Sequence, residues 1–167
     1  KKLKGMFITH GHEDHIGSIP YCMQQVNCPI HGTAMTNGLI KLKLEEHRLA
    51  DTVKLITHKA GDVVKAGCFQ VEFIHVNHSI PDAVGFAINS PAGTVIHTGD
   101  FKIDTTPIDG KVIDIGRFAE YGKKGVLALL ADSTNAERPG FTSSEKLVGG
   151  SFSHFFSNFS IALNASS

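Results

Sequence analysis

The stretch Thr9-His10-Gly11-His12-Glu13-Asp14-His15 places three imidazoles and the Asp14 carboxylate within six residues, directly after the apolar run Met6-Phe7-Ile8. Neutral imidazole and carboxylate together suit Zn²⁺ first, with Mn²⁺ or Fe as alternatives. Residues 10, 12 and 14 alternate, so an extended segment would send their side chains to one side. His15 would join them from the first turn of a following helix. These donors exceed what one catalytic ion with an open position needs, which points to two adjacent ions. The chain holds ten histidines, enough for some to gather by chance on a solvated loop. The flanks favour the metal reading: residues 6–8 read as a short buried strand, Gly11 permits a tight turn at the ligands, and Gly17 and Pro20 frame an apolar helix over 16–26.

Further along, residues 28–31 read as a short strand. Residues 33–49 read as an amphipathic helix with Lys41, Lys43, Glu45, Glu46 and Arg48 facing solvent. Residues 69–76 alternate with period two, the pattern of a half-buried strand that delivers His78 at its end. Residues 84–89 and 94–98, joined through Ser90-Pro91-Ala92-Gly93, read as a hairpin that delivers Asp100 in the same way. A further buried strand over 126–131 ends at Asp132. The candidate groups thus all lie at strand ends, where loops on a rigid sheet carry chemistry. Taken singly they have plainer readings. His78 could be a loop histidine bonded to carbonyls, Asp100 could end a strand in a turn, and Asp132 could start a turn or cap a helix through Ser133 and Thr134. The histidines at 31, 47, 58, 75, 97 and 154 need no metal. His75 and His97 lie nearest the ligand positions and are the best candidates to support them, although an ordinary half-buried imidazole explains each as well.

Composition allows one domain with a real core: 41% of residues are apolar, and sixteen positive charges balance sixteen negative ones. No apolar run is long enough to span a membrane. Zero net charge gives no support for nucleic-acid binding, and Lys1, Lys2, Lys4, Lys41 and Lys43 read as solvated faces rather than a phosphate track. Cys22, Cys28 and Cys68 form an odd set without CxxC spacing, which fits a reducing compartment and suggests neither a structural zinc site nor a disulfide framework. Asn158-Phe159-Ser160 and Asn164-Ala165-Ser166 match the glycosylation pattern, but nothing else points to secretion.

The pattern HxHxDH at a strand end resembles the signature of the metallo-β-lactamase fold. With His78-Ser79-Ile80-Pro81-Asp82, His97-Thr98-Gly99-Asp100-Phe101-Lys102 and Asp132-Ser133-Thr134-Asn135-Ala136-Glu137-Arg138-Pro139-Gly140 following in order, the chain resembles the ribonuclease J family of the β-CASP nucleases from about residue 3 to about residue 148. The resemblance implies an α/β fold, the αββα sandwich. It implies a first ion held by His10, His12, His78 and Asp100 and a second by Asp14, His15 and Asp100. Asp100 would bridge ions about 3.5–4 Å apart, a spacing suited to in-line displacement at phosphorus. A water between the ions would attack, with Asp14 orienting it and accepting its proton, so Asp14 and Asp100 are the expected catalytic groups. Asp132, with Ser133, would support the ligands from behind. Two Zn²⁺ are the implied cofactors, with Mn²⁺ as the alternative.

The implied substrate is RNA, cleaved internally and from a 5′ end. The parent protein would act as a homo-oligomer or in an RNA-degradation assembly, away from membranes, in a bacterial cytoplasm or a plastid. One alternative is a hydrolase of the same fold acting on a small ester, thioester or lactam. A second is a non-catalytic metal-binding or RNA-associated scaffold. Against the family pattern, residues 1–148 would form a partial metallo-β-lactamase domain, lacking strands before the metal site and the β-CASP insert with its returning segment. The Phe/Ser-rich residues 149–167 depart from the pattern, as a frameshift, an unspliced segment or an incorrect gene model would produce. A partial sandwich exposes sheet edges and apolar faces, so the chain alone is expected to be weakly stable, prone to aggregate and inactive as a nuclease.

Overall fold

The computed structural model describes residues 3–140, 142–144 and 146–147, so the expectation for the tail over 149–167 lies outside the described residues. Strands β1 (Met6–Phe7), β2 (Ile30–Gly32) and β3 (Leu55–Thr57) form a parallel sheet in the order β1-β2-β3. Helices α1 (Glu13–Ile16), α2 (Ile19–Gln25) and α3 (Ala34–Glu46) belong to the connections between these strands, as parallel pairing demands. On α3 the residues Thr36, Asn37, Ile40 and Leu44 are buried, spaced to share one face. Ile40 and Leu44 pack with Ile16, Ile19, Met23 and Ile30 into the core between helices and sheet.

A second sheet contains β4 (Val63–Ala66), β5 (Phe69–His75), β6 (Val84–Ser90), β7 (Gly93–His97) and β8 (Ala128–Leu130) in sequence order. The β4 to β7 neighbours are antiparallel, and β8 joins β7 in parallel. Phe7 of β1 packs with Val71, Phe73, Val84 and Phe86, which places a core between the two sheets. On the outer face of the second sheet, Ile74, Ala87 and Ile96 pack against Phe118 and Tyr121 of α4 (Ile115–Lys124). The layers therefore run helix, sheet, sheet, helix, the expected sandwich.

Several local expectations are corrected. The helix expected over 16–26 is two pieces, because the chain is capped at Gly17 and starts again at Ser18 with proline in the first turn. Asp14 is not part of an extended run. His12 has extended backbone and acts as the N-cap of α1, so Glu13 and Asp14 fall in the first helical turn, where carboxylates suit the positive helix end. Strand β5 is buried on both faces at Val71, Glu72, Phe73 and Ile74 rather than on one. Strand β8, expected to be buried, is exposed throughout, with Leu129 60% and Leu130 52% accessible. Among the described residues it is the sheet's edge and pairs with β7 alone.

The second covered face of β5 explains the misleading alternation. Glu72 is buried there, and its carboxylate accepts hydrogen bonds from Arg117 Nε at 2.7 Å, Arg117 Nη2 at 2.8 Å and the Tyr121 hydroxyl at 2.6 Å. Arg117 also pairs with Glu120 and stacks over the Tyr121 ring. A polar residue in the strand pattern thus marks the seat of α4 rather than solvent. The Arg117 bonds hold the Glu72 carboxyl below its ordinary value. An acid with a depressed folded-state pKa stabilises the fold above the unfolded value and loses that contribution as pH falls through the folded one. Glu72→Gln is therefore expected to cost about 1.5–3 kcal/mol at pH 7. The gap between the two proteins should shrink below about pH 4.5. Urea unfolding of both proteins at pH 7 and pH 3.5 checks this, and a gap of equal size at the two values would disprove the charge-based account.

Candidate metal centre

The end of β1, the first helical turn and the loops after β5 and β7 converge on one place. His10 is completely buried, and its Nδ1 lies 3.1 Å from the Thr9 hydroxyl. Its Nε2 is buried without a hydrogen-bond partner among the described residues. Such an orphaned atom costs free energy unless something accepts its lone pair, and a metal ion does so. His78 Nε2 and His12 Nδ1 face each other at 3.0 Å. Without an ion, one of these rings must donate its N–H to the other; with one, both lone pairs would be available to it.

Asp100 completes the cluster. Its Oδ2 lies 3.4 Å from His15 Nε2 and 3.8 Å from both His10 Nε2 and His78 Nε2. Two groups of donor atoms follow, His10 with His12 and His78, and His10 with His15 and Asp100, the atoms of each lying within 4.8 Å of one another. The donor set and the orphaned nitrogen fit a metal ion. Burial, with His15 and His78 nearby, lowers the His10 pKa to about 4. Burial and then His12 lower that of His78. Both imidazoles are therefore neutral at pH 7, the form that a metal requires.

The remaining expected residues stand further out. Asp14 is largely exposed at the rim, its Oδ2 3.5 Å from His15 Nε2. The Asp132 carboxylate accepts hydrogen bonds from the Thr134 amide at 2.9 Å and hydroxyl at 2.7 Å, closing a turn; these bonds hold its pKa below the ordinary value. It is linked to the loop that carries Asp100 in two ways: its carboxylate accepts the Phe101 N–H, and its own N–H donates to the Thr98 hydroxyl, which donates to the Gly99 carbonyl. Ser133 is exposed, and its carbonyl accepts the Ala136 N–H.

Two contributors, Thr9 and Gly99, escaped the sequence reading, and His97, one of its two candidates for support, joins them. Thr9 orients the His10 ring. His97 Nδ1 accepts the Gly99 N–H at 3.0 Å, steadying the turn that presents Asp100. Gly99 itself has φ +61°, and a Cβ there would lie 3.0 Å from the Thr9 side chain and from the Val84 carbonyl oxygen. Only glycine meets both demands without strain. The signal was present in Thr98-Gly99-Asp100, a glycine directly before a candidate ligand. His75 instead places Nε2 3.2 Å from the Lys111 carbonyl, as a half-buried imidazole does.

Residues 1–125 match the beta-lactamase superfamily domain. Among curated proteins, the chain is 50% identical over 159 residues to ribonuclease J of Synechocystis sp., covering 94% of this chain and 25% of that protein. It is 44% identical over 158 residues to ribonuclease J of Helicobacter pylori strain 26695, covering 93% and 23% respectively. The chain thus spans about a quarter of the length of these relatives. A crystal structure of a protein of unknown function from Enterococcus faecalis V583 superposes with a TM-score of 0.58 at 18% identity, covering 86% of this chain and 34% of that one. That likeness concerns the fold alone.

Proposed function

This chain belongs to the beta-lactamase superfamily, and from that premise we propose that it carries the metal site of a ribonuclease that hydrolyses RNA phosphodiester bonds, internally and from a 5′ end. The observation that carries the reading is the convergence of His10, His12, His15, His78 and Asp100, with the orphaned His10 Nε2 at its centre, in a chain similar to ribonucleases J at 44–50% identity. His10, His12, His78 and Asp100 would hold one ion, and Asp14, His15 and Asp100 a second. Imidazole with carboxylate favours Zn²⁺, with Mn²⁺ as the alternative. When bound, such ions supply Lewis acidity and a water acidified towards neutral pH.

The chain's own groups supply the rest. Asp14, exposed beside His15, would accept a hydrogen bond from the attacking water and take its proton. Asp100 would serve both ions, since its Oδ2 lies within 3.8 Å of His10, His15 and His78. The neutral imidazoles need shed no proton before use. Asp132 and Ser133 would act through the Thr98–Gly99 backbone that carries Asp100. The same reading takes RNA as the partner and a bacterial cytoplasm, or a plastid, as the location. It also takes a homo-oligomer or an RNA-degradation assembly as the working form. No described helix is long and apolar enough to cross a membrane.

Mass spectrometry of metal content tests the assignment directly. Close to two zinc ions per chain are expected, falling by at least one in Asp100→Ala, while hydrolysis of a 5′-monophosphorylated RNA by the longest available form of the protein disappears with them. Bound zinc unchanged in Asp100→Ala would reject the ligand set.

A further inference from the structure

Beside the metal cluster, a cavity of ≈ 240 Å³ opens between the loop after β5 and the loop after β7, and His78 lines both. Its volume falls short of the roughly 300–1,000 Å³ of pockets that take drug-sized ligands, so it suits a single ring system rather than a whole nucleotide. Ile80, Pro81 and Ile108 provide apolar walls. Three carboxylates, Asp82, Asp104 and Asp109, also line it, against one ammonium, Lys102, whose Nζ lies 3.9 Å from Asp104 Oδ2. A phosphate would meet an excess of like charge there. A flat apolar ring bearing N–H donors would find walls to pack on and carboxylates to accept its hydrogen bonds, the pairing by which Asp and Glu read the cytosine amino group.

Asp82 adds a second sign of a shaped site. It has φ +61° without being glycine, a conformation that costs energy and is found where a residue must be aimed.

Resting on the ribonuclease reading above, we propose that this cavity receives the base of a nucleotide flanking the phosphodiester at the metal cluster, and that it favours bases with an exocyclic amino group. His78 fixes the adjacency, since a base in the cavity sits next to a ring of the metal site. Ile108, 72% exposed at the mouth, would close over one face of the base, and Asp82 would accept from its edge.

The test is a methyl NMR titration of the zinc-loaded chain with cytidine 5′-monophosphate, uridine 5′-monophosphate and ribose 5-phosphate. The cytidine nucleotide should shift the Ile80 and Ile108 methyls and bind about three- to tenfold more tightly than the uridine nucleotide, the value of one hydrogen bond. Ribose 5-phosphate should leave those methyls in place. Asp82→Asn, which tolerates the same backbone, should erase the cytidine preference, and Ile108→Lys should bring both nucleotides down to the affinity of ribose 5-phosphate. Ile80 and Ile108 shifts of equal size with ribose 5-phosphate, or a preference unchanged in Asp82→Asn, would overturn the assignment. RNA hydrolysis by the zinc-loaded protein with no base preference beside the cleaved bond would overturn the cavity and leave the ribonuclease reading standing. Failure to bind any of these nucleotides, with RNA left intact by the longer protein, would overturn both.

Discussion

His10→Ala is expected to remove at least the first ion and Asp100→Ala both, because Asp100 is the carboxylate assigned to both ions, whereas the single lone pair of His10 Nε2 serves one although that atom lies in both groups of neighbouring donors. The contrast separates a shared ligand from one that serves a single ion. RNA hydrolysis by His10→Ala, measured in the longest form of the protein that cleaves RNA, should fall at least about 10³-fold, or about 4 kcal/mol of barrier. Stability should respond differently with and without metal. Ion binding at a thousandfold excess over its dissociation constant adds about 4 kcal/mol to the folded state, and His10→Ala forfeits that addition. The metal-free protein should change by only about 1–2 kcal/mol, since the substitution deletes a packed ring but also an unsatisfied buried nitrogen. Urea unfolding with and without zinc, beside metal analysis, reads both effects. Two ions retained in His10→Ala would show that the ring is a core histidine; loss of folding without metal would show that its role is packing.

The proposed ligands were legible in the sequence because their spacing is short-range: His10, His12, Asp14 and His15 share one turn of chain, and His78 and Asp100 each follow a strand that the pattern revealed. The turn residues Ser90-Pro91-Ala92-Gly93, set between two apolar runs, gave the hairpin its place. What stayed hidden depends on contacts between distant segments. Glu72 looked like a solvent position in β5 until Arg117 and Tyr121, 45 and 49 residues later, were seen to cover it. Strand β3 has only Leu55, Ile56 and Thr57, too few to show a period. The turn of Asp14 into α1 was missed because alternation of ligand residues is the same in a strand and in a strand that breaks into a helix; only the cap at His12 decides between them. The exposure of Leu129 and Leu130 is likewise no property of their own sequence. It follows from their place at the edge of the sheet, which no local pattern records.

The contact between the two sheets, and with it the alignment of the proposed metal ligands, should depend on Phe73. This ring is completely buried on β5. It touches Phe86 edge-on with centroids 5.0 Å apart, Phe7 of the first sheet at 6.1 Å, and His58, which follows β3, at 4.9 Å. Phe7 in turn stacks on His31 of β2 at 4.5 Å. The aromatic cluster therefore joins β1, which leads into His10, to β5, which leads into His78. Phe73→Ala is expected to cost about 3–5 kcal/mol through lost transfer energy and the void left behind. Against a typical total of about 5–15 kcal/mol, that is enough to leave a substantial unfolded population. Phe73→Leu keeps most of the volume and should cost much less, which separates the packing account from a special need for aromaticity. Zinc affinity should fall in Phe73→Ala beyond the loss due to unfolded molecules, because the Val84 N–H to Thr9 carbonyl bond, 3.0 Å long, is left as the main clamp between the sheets close to the ligands. Denaturant unfolding and zinc titration of the three proteins decide the matter: a Phe73→Ala cost below about 1 kcal/mol, outside the range for a buried Phe→Ala change, would mean that the sheets are not held through this ring.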